Sequence, residues 1–148
     1  MDHQAQTRKQ AMLVSWILWG AMLAVLAVYV FVILVLQQGN APPDKLDPAL
    51  PRNLGVVAGG IASLSFVLRC ILLSGFRSGE LSADTPRAAR RLLAGNIVCF
   101  ALSESIGIFG VVLGVLGYPR DTCANFLMGA VVMMVYHIPL ARRFEPES

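Results

Sequence analysis

Between Ala11 and Leu36 the chain reads AMLVSWILWGAMLAVLAVYVFVILVL and carries no charged residue. Wound as an α-helix, this stretch is roughly 39 Å long at 1.5 Å per residue, enough to cross about 30 Å of hydrocarbon with some tilt. Its natural solvent is lipid. Arg8 and Lys9 ahead of it imitate the n-region of a signal peptide. The apolar run, however, far exceeds the ~7 to 15 residues of a signal core. The segment is therefore expected to remain as a permanent anchor.

The rest of the chain has the same character. With 56% hydrophobic and 14% charged residues and a mean hydropathy of +0.65, a soluble domain of 148 residues would lack the polar surface to cover its core. The charges fall almost entirely between apolar runs. A loop with four prolines, QQGNAPPDKLDPALPRN, opposes helix and connects the first run to a second, Leu54 to Gly75. That second run is slimmed by Gly55, Gly59, Gly60, Ala62 and Ser63, small residues of the kind that let helices approach closely in lipid. Arg69 interrupts it about six residues from its end, roughly 9 Å, which is within snorkelling reach of the surface. In the charged loop that follows, Thr85 offers an N-cap and Pro86 a first helical position, for a short interfacial turn. A third run extends from Leu92 to Gly117 and, after the turn YPRDTCAN, a fourth from Thr122 to Leu140, ended by Pro139. The expected fold is all-α. It is a single polytopic membrane domain over 1–148, with four transmembrane helices (11–36, 54–75, 92–117 and 122–140) in antiparallel hairpins.

Short-loop charge sets the orientation of such spans. The N-terminus (Arg8, Lys9), the middle loop (Arg77, Arg87, Arg90, Arg91) and the C-terminus (Arg142, Arg143) hold eight Lys and Arg; the two opposite loops hold three, Lys45, Arg52 and Arg120. Both termini are expected in the cytoplasm. The net charge of +3 is not arranged as a basic stripe with interleaved aromatics, so the expected partner is the lipid bilayer and not nucleic acid. Trp16, Trp19, Tyr118 and Tyr136 lie toward span ends and suit aromatic belts. Cys70, Cys99 and Cys123 have no CxxC spacing and read as structural. His137, the one histidine within the runs, reads as interfacial, because a haem or metal site needs partners that the spans do not supply. No cofactor or metal is expected. No nucleophile setting or phosphate-cradling glycine loop is visible, which argues against an enzyme.

One acid stands inside the third run. Glu104, in ALSESIGIFGVVLGVLG, lies about 12 residues from Leu92, or roughly 18 Å by helix rise, near the bilayer centre. An acid there costs ~2.5 to 3.5 kcal/mol on insertion scales, so it should face protein or water and spend much of its time neutral. Glu104 is thus a candidate proton-binding group. Ser103, Gly107, Gly110, Gly114 and Gly117 share one narrow helix face, a packing groove with Glu104 about 60° away on its rim. Counting back from Gly75 brings Ser63, and Ser65 a turn or less away, to a similar depth on the second run. The candidate proton- or ion-binding set is Glu104 with Ser63, Ser65 and Ser103. A bland role for Glu104 is equally open: a protonated acid that bonds across a helix interface and fixes packing.

The segment ALSESIGIFG resembles the acid-bearing helix of rotary ATP synthase c subunits, the proteolipids. Ala101 provides the small-residue lead, Glu104 the mid-membrane acid, and Phe109 and Gly110 the aromatic and glycine five and six positions later. A basic loop precedes that helix in both. The resemblance implies that Glu104 binds a translocated proton or sodium ion. It covers about 15 residues, and the second run lacks a proteolipid's regular GxGxGxG. The whole chain is also similar to a group of bacterial four-helix membrane proteins whose third helix has an ALxExxxxFG character, a group that brings no established activity. That likeness implies a bacterial inner membrane. Two expectations follow: a small non-enzymatic subunit or helper of a larger membrane complex with a buried proton-binding carboxylate, or a c-like oligomeric carrier of H⁺ or Na⁺. The partners are then other membrane subunits, or a second copy packed on the glycine face.

Overall fold

The computed structural model describes residues 2–39, 46–77 and 86–139. They form four helices: α1 (Asp2–Gly39), α2 (Ala49–Arg77), α3 (Pro86–Val115) and α4 (Arg120–Tyr136). The protein is all-α, and α1, α2 and α3 each hold a segment long and apolar enough to cross a membrane: Met12–Gln38, Ala49–Leu72 and Arg90–Val115. The fourth helix, given 122–140 from the sequence, has 17 residues, roughly 26 Å of rise and so a few ångströms less than the hydrocarbon thickness. Leu140, the middle loop with Ser82 and Thr85, and Arg142 and Arg143 lie outside the described residues.

Helix ends follow local chemistry more than apolar limits. α2 starts ahead of Leu54, because Asp47 acts as its N-cap: the Ala49 amide donates to Asp47 Oδ1 at 2.8 Å. Pro48 and Pro51 then fall at the start of the helix, where a missing N–H costs little. Pro86 is the first residue of α3, which continues unbroken through Val115, so the interfacial turn expected here is part of the third helix. α3 ends in a Schellman motif. The Tyr118 amide donates to Leu113 O at 3.0 Å and the Gly117 amide to Gly114 O at 3.1 Å, with Gly117 at φ 83°, a conformation that costs a glycine nothing. Gly117 therefore leaves the packing face and serves as the helix stop.

α3 is the central element and packs on all three others. Along α3 and α4 the contacts run in opposite directions: Ile106 meets Gly129, while Gly110 meets Cys123 and Phe126. Along α1 and α3 they run in the same direction, from Ser15 with Asn96 to Ile33 with Gly114. Two clusters make up the interior. Leu26, Ala58, Phe100, Ile106, Ala130 and Met134 form one; Ile33, Leu113, Tyr118, Cys123 and Leu127 form the other, toward the α3–α4 turn. Tyr118, expected in an aromatic belt, is a buried member of this core and donates its hydroxyl to Asp47 O at 2.7 Å. Large apolar side chains such as Ile17, Phe31, Val56 and Val132 face outward, as lipid-facing positions do.

The glycines of α3 are filled from within the chain. A Cβ on Gly107 would meet Leu26 Cδ2 at 2.6 Å, one on Gly114 would meet Ile33 Cγ1 at 3.0 Å, and one on Gly110 would lie 2.9 Å from the backbone oxygen of Cys123. Gly55, Gly59 and Gly60 of α2 have nothing within 4 Å of such a Cβ, so that slim face is not where α2 meets its neighbours in this fold. Side-chain ends can swing away, but backbone cannot. Gly110→Ala should therefore cost about 1–3 kcal/mol by overpacking, Gly107→Ala less, and Gly59→Ala nothing or a slight gain. Unfolding of the three variants in detergent, followed by circular dichroism, checks this order.

Candidate functional site

Glu104 projects from α3 toward α1, 14 positions after Arg90, the start of the apolar segment. It is half-buried, and its Oε1 accepts a hydrogen bond from the Tyr29 hydroxyl at 3.0 Å. The local sequence makes this contact possible. Gly107, one turn after Glu104, has no side chain, and Leu26 and Tyr29 of α1 pack over its Cα. Close helix approach there brings the phenol within reach of the carboxylate. A phenol is a versatile partner for a carboxyl group: it donates to a carboxylate oxygen, and its own oxygen can accept from a carboxylic acid.

The three serines grouped with Glu104 from the sequence lie elsewhere. Ser63 faces outward and bonds Gly59 O of its own helix at 2.9 Å. Ser103 is buried and bonds Cys99 O at 2.9 Å. Ser65 is buried against His137 at 2.7 Å. Depth counting placed Ser63 and Ser65 at a similar level but could not supply their azimuth. α2 meets α3 where Cys99 faces Ser65 O, and Cys99 and Glu104, five residues apart, differ by about 140° around the helix. The residue that does reach Glu104, Tyr29, carries the one hydroxyl in α1 between Ser15 and Gln37. A mid-span polar group is the signal that could have found it.

A second polar cluster joins α2 to the C-terminal end of α4. His137, expected at the interface, is 1% exposed. Its Nε2 lies 2.7 Å from Ser65 Oγ and its Nδ1 3.0 Å from an Arg69 guanidinium nitrogen. Arg69, expected to snorkel along its own helix, instead donates to Ile138 O at 3.4 Å and lies 5.0 Å over the Tyr136 ring. A cation suits this place, because carbonyls past the last turn of a helix carry partial negative charge. A guanidinium has donors only, so Nδ1 must be the acceptor and Nε2 must carry the proton, which it donates to Ser65. That polarity is opposite to a Ser–His nucleophile pair, in which the unprotonated imidazole nitrogen takes the serine proton.

Polar contacts also tie the other end. Gln37 of α1 donates to Tyr118 O at 3.2 Å and accepts from Arg120 Nε at 3.0 Å. Among the described residues no three His, Cys, Asp or Glu converge as a metal site would require, and Cys70, Cys99 and Cys123 are free thiols, the last two buried. No protein-family model, no curated protein and no solved structure matches the chain.

If Tyr29 and Glu104 act as a pair, their substitutions are coupled. In a cycle of Tyr29→Phe, Glu104→Leu and the double variant, the interaction free energy should be about 0.5–1.5 kcal/mol, the range for an intramolecular hydrogen bond. Reversible unfolding in mixed micelles measures it; additive losses would mean that the two side chains act independently.

Proposed function

We propose that the chain is a non-enzymatic integral protein of a bacterial inner membrane, a small subunit or helper of a larger membrane complex, in which Glu104 is a buried proton-binding carboxylate held by Tyr29. The observation that carries this reading is the Tyr29–Glu104 hydrogen bond at 3.0 Å between the apolar segments of α1 and α3. A carboxyl in such a place is stable only with a bonding partner. All four helices cross the bilayer in antiparallel hairpins with both termini cytoplasmic. The eight-to-three bias of Lys and Arg in the short loops supports that orientation, and the opposed order of contacts along α3 and α4 supports the hairpins. α4 is short, and local thinning of the bilayer accommodates a helix of its length.

The rival reading, a c-like ring carrying H⁺ or Na⁺, needs the small-residue face of the acid-bearing helix to receive neighbouring copies. Leu26, Ile33 and Phe126 of the same chain occupy that face, which favours a helper that meets other subunits through its outer surface.

Two experiments test the proposal. A hydrophobic carbodiimide attacks protonated carboxyls in lipid. It should modify Glu104 ahead of the loop acids, with labelling that declines as pH rises and does not respond to sodium. Sodium protection would favour the ion carrier, and absence of labelling would remove the proton-binding role. Native mass spectrometry from the source membrane should then show different chains bound, whereas a homo-oligomeric ring would overturn the helper reading. For orientation, a cysteine at Ser82 in a background without other cysteines should resist an impermeant thiol reagent added outside intact cells, and one at Asn40 should react.

A further inference from the structure

The Ser65–His137–Arg69 cluster is separate from Glu104 and has its own chemistry. It is one-directional. Arg69 donates to Nδ1, Nε2–H donates to Ser65 Oγ, and Arg69 also holds Ile138 O. The chain of bonds therefore depends on a lone pair at Nδ1. A second proton on the imidazole would occupy that lone pair, turn an acceptor into a donor, and place a new cation 3.0 Å from the guanidinium.

Among the described residues that face the cluster, none is a carboxylate that would compensate that charge. From α2 the groups facing His137 are Arg69 and Ser65; from α4, the neighbouring Tyr136 ring at 5.2 Å. α3 contributes the Cys99 thiol, which bonds Ser65 O, and α1 has no charged residue between Gln10 and Gln38. Of the described carboxylates, Glu104 is turned toward Tyr29 on α1. Asp47 belongs with Tyr118 at the other end of the bundle, and Asp121 sits in the first turn of α4.

We propose that this cluster is a pH-sensitive latch. With neutral His137 it fastens the C-terminal end of α4 to α2; the doubly protonated imidazole repels Arg69 and releases that end. The remaining contacts of α4, including the Trp19 indole N–H to Met134 O at 2.9 Å and the Gly110 crossing, do not involve the imidazole, so the release is local.

The native cysteines report on it. Cys99 lies beside the latch, and Cys123 is buried near the opposite end of α4. The full-length protein in detergent is treated with 4,4′-dithiodipyridine, which still reacts with thiols in acid, between about pH 8 and about pH 3, a range carried well below that of an ordinary histidine because the second proton must enter a buried site 3.0 Å from the guanidinium. Modification at each cysteine is read by mass spectrometry. The Cys99-to-Cys123 ratio should rise several-fold as pH falls, and in His137→Gln, whose amide can accept from Arg69 without titrating, it should stay flat. A flat ratio in the unmodified protein, the same rise in His137→Gln, or an equal rise at both cysteines would overturn the latch. Nitrogen-15 spectra of His137 decide the matter independently of how the variant folds. The latch requires Nε2–H with a bare Nδ1 at neutral pH and two protons in acid; an Nδ1–H tautomer at neutral pH overturns it.

Discussion

The closeness of α3 to its neighbours is the constraint on which the rest of the structure depends. In lipid the hydrophobic effect does not drive helices together; packing and a few polar contacts must do so. Gly107, Gly110 and Gly114 leave three gaps along one side of α3, and Leu26, the Cys123–Phe126 backbone region and Ile33 fill them. α1 and α4 therefore both lie against the central helix, and each interhelical hydrogen bond operates within that spacing. The Tyr29 phenol reaches Glu104 only because Gly107 permits α1 to come close.

Polar side chains do the rest of the joining, distributed by helix pair. Ser15 with Asn96 and Tyr29 with Glu104 link α1 to α3. Trp19 with Met134 O and Gln37 with Arg120 link α1 to α4. Ser65 and Arg69 with His137 link α2 to α4. Among the described residues no buried side-chain nitrogen or oxygen lacks a partner, as expected where water is not at hand to replace one. α2 depends most on this glue, since its Gly55, Gly59 and Gly60 meet no neighbour among the described residues. A latch at one end of α2 would thus govern the least securely packed helix.

The two buried polar sites were unequally legible. Glu104 is legible in the sequence, because it is the one charged residue between Leu92 and Gly117. Its partner is not legible in the same way: Tyr29 is one aromatic residue among many apolar ones, and depth along the helices points instead to Ser63 and Ser65 on α2. The latch was missed for a related reason. Arg69 and His137 are 68 positions apart, and each taken alone has an adequate surface role, one as a snorkelling cation and the other as an interfacial imidazole.

Composition and charge-free length by themselves pointed to a helical protein, since apolar backbone without water must satisfy itself within each helix; they counted four spans, of which the structure makes three long and apolar enough to cross a membrane. They also located the acid, which depends only on rise along one axis. Rotation of each helix about its own axis was decided by tertiary structure alone. Azimuth is set by which side chains interlock across a crossing, and a spacing rule for one helix has no information about its neighbour's phase. That is why Ser63 faces outward, Gly117 ends a helix instead of packing it, and an arginine and a histidine from opposite halves of the chain share one part-buried hydrogen bond.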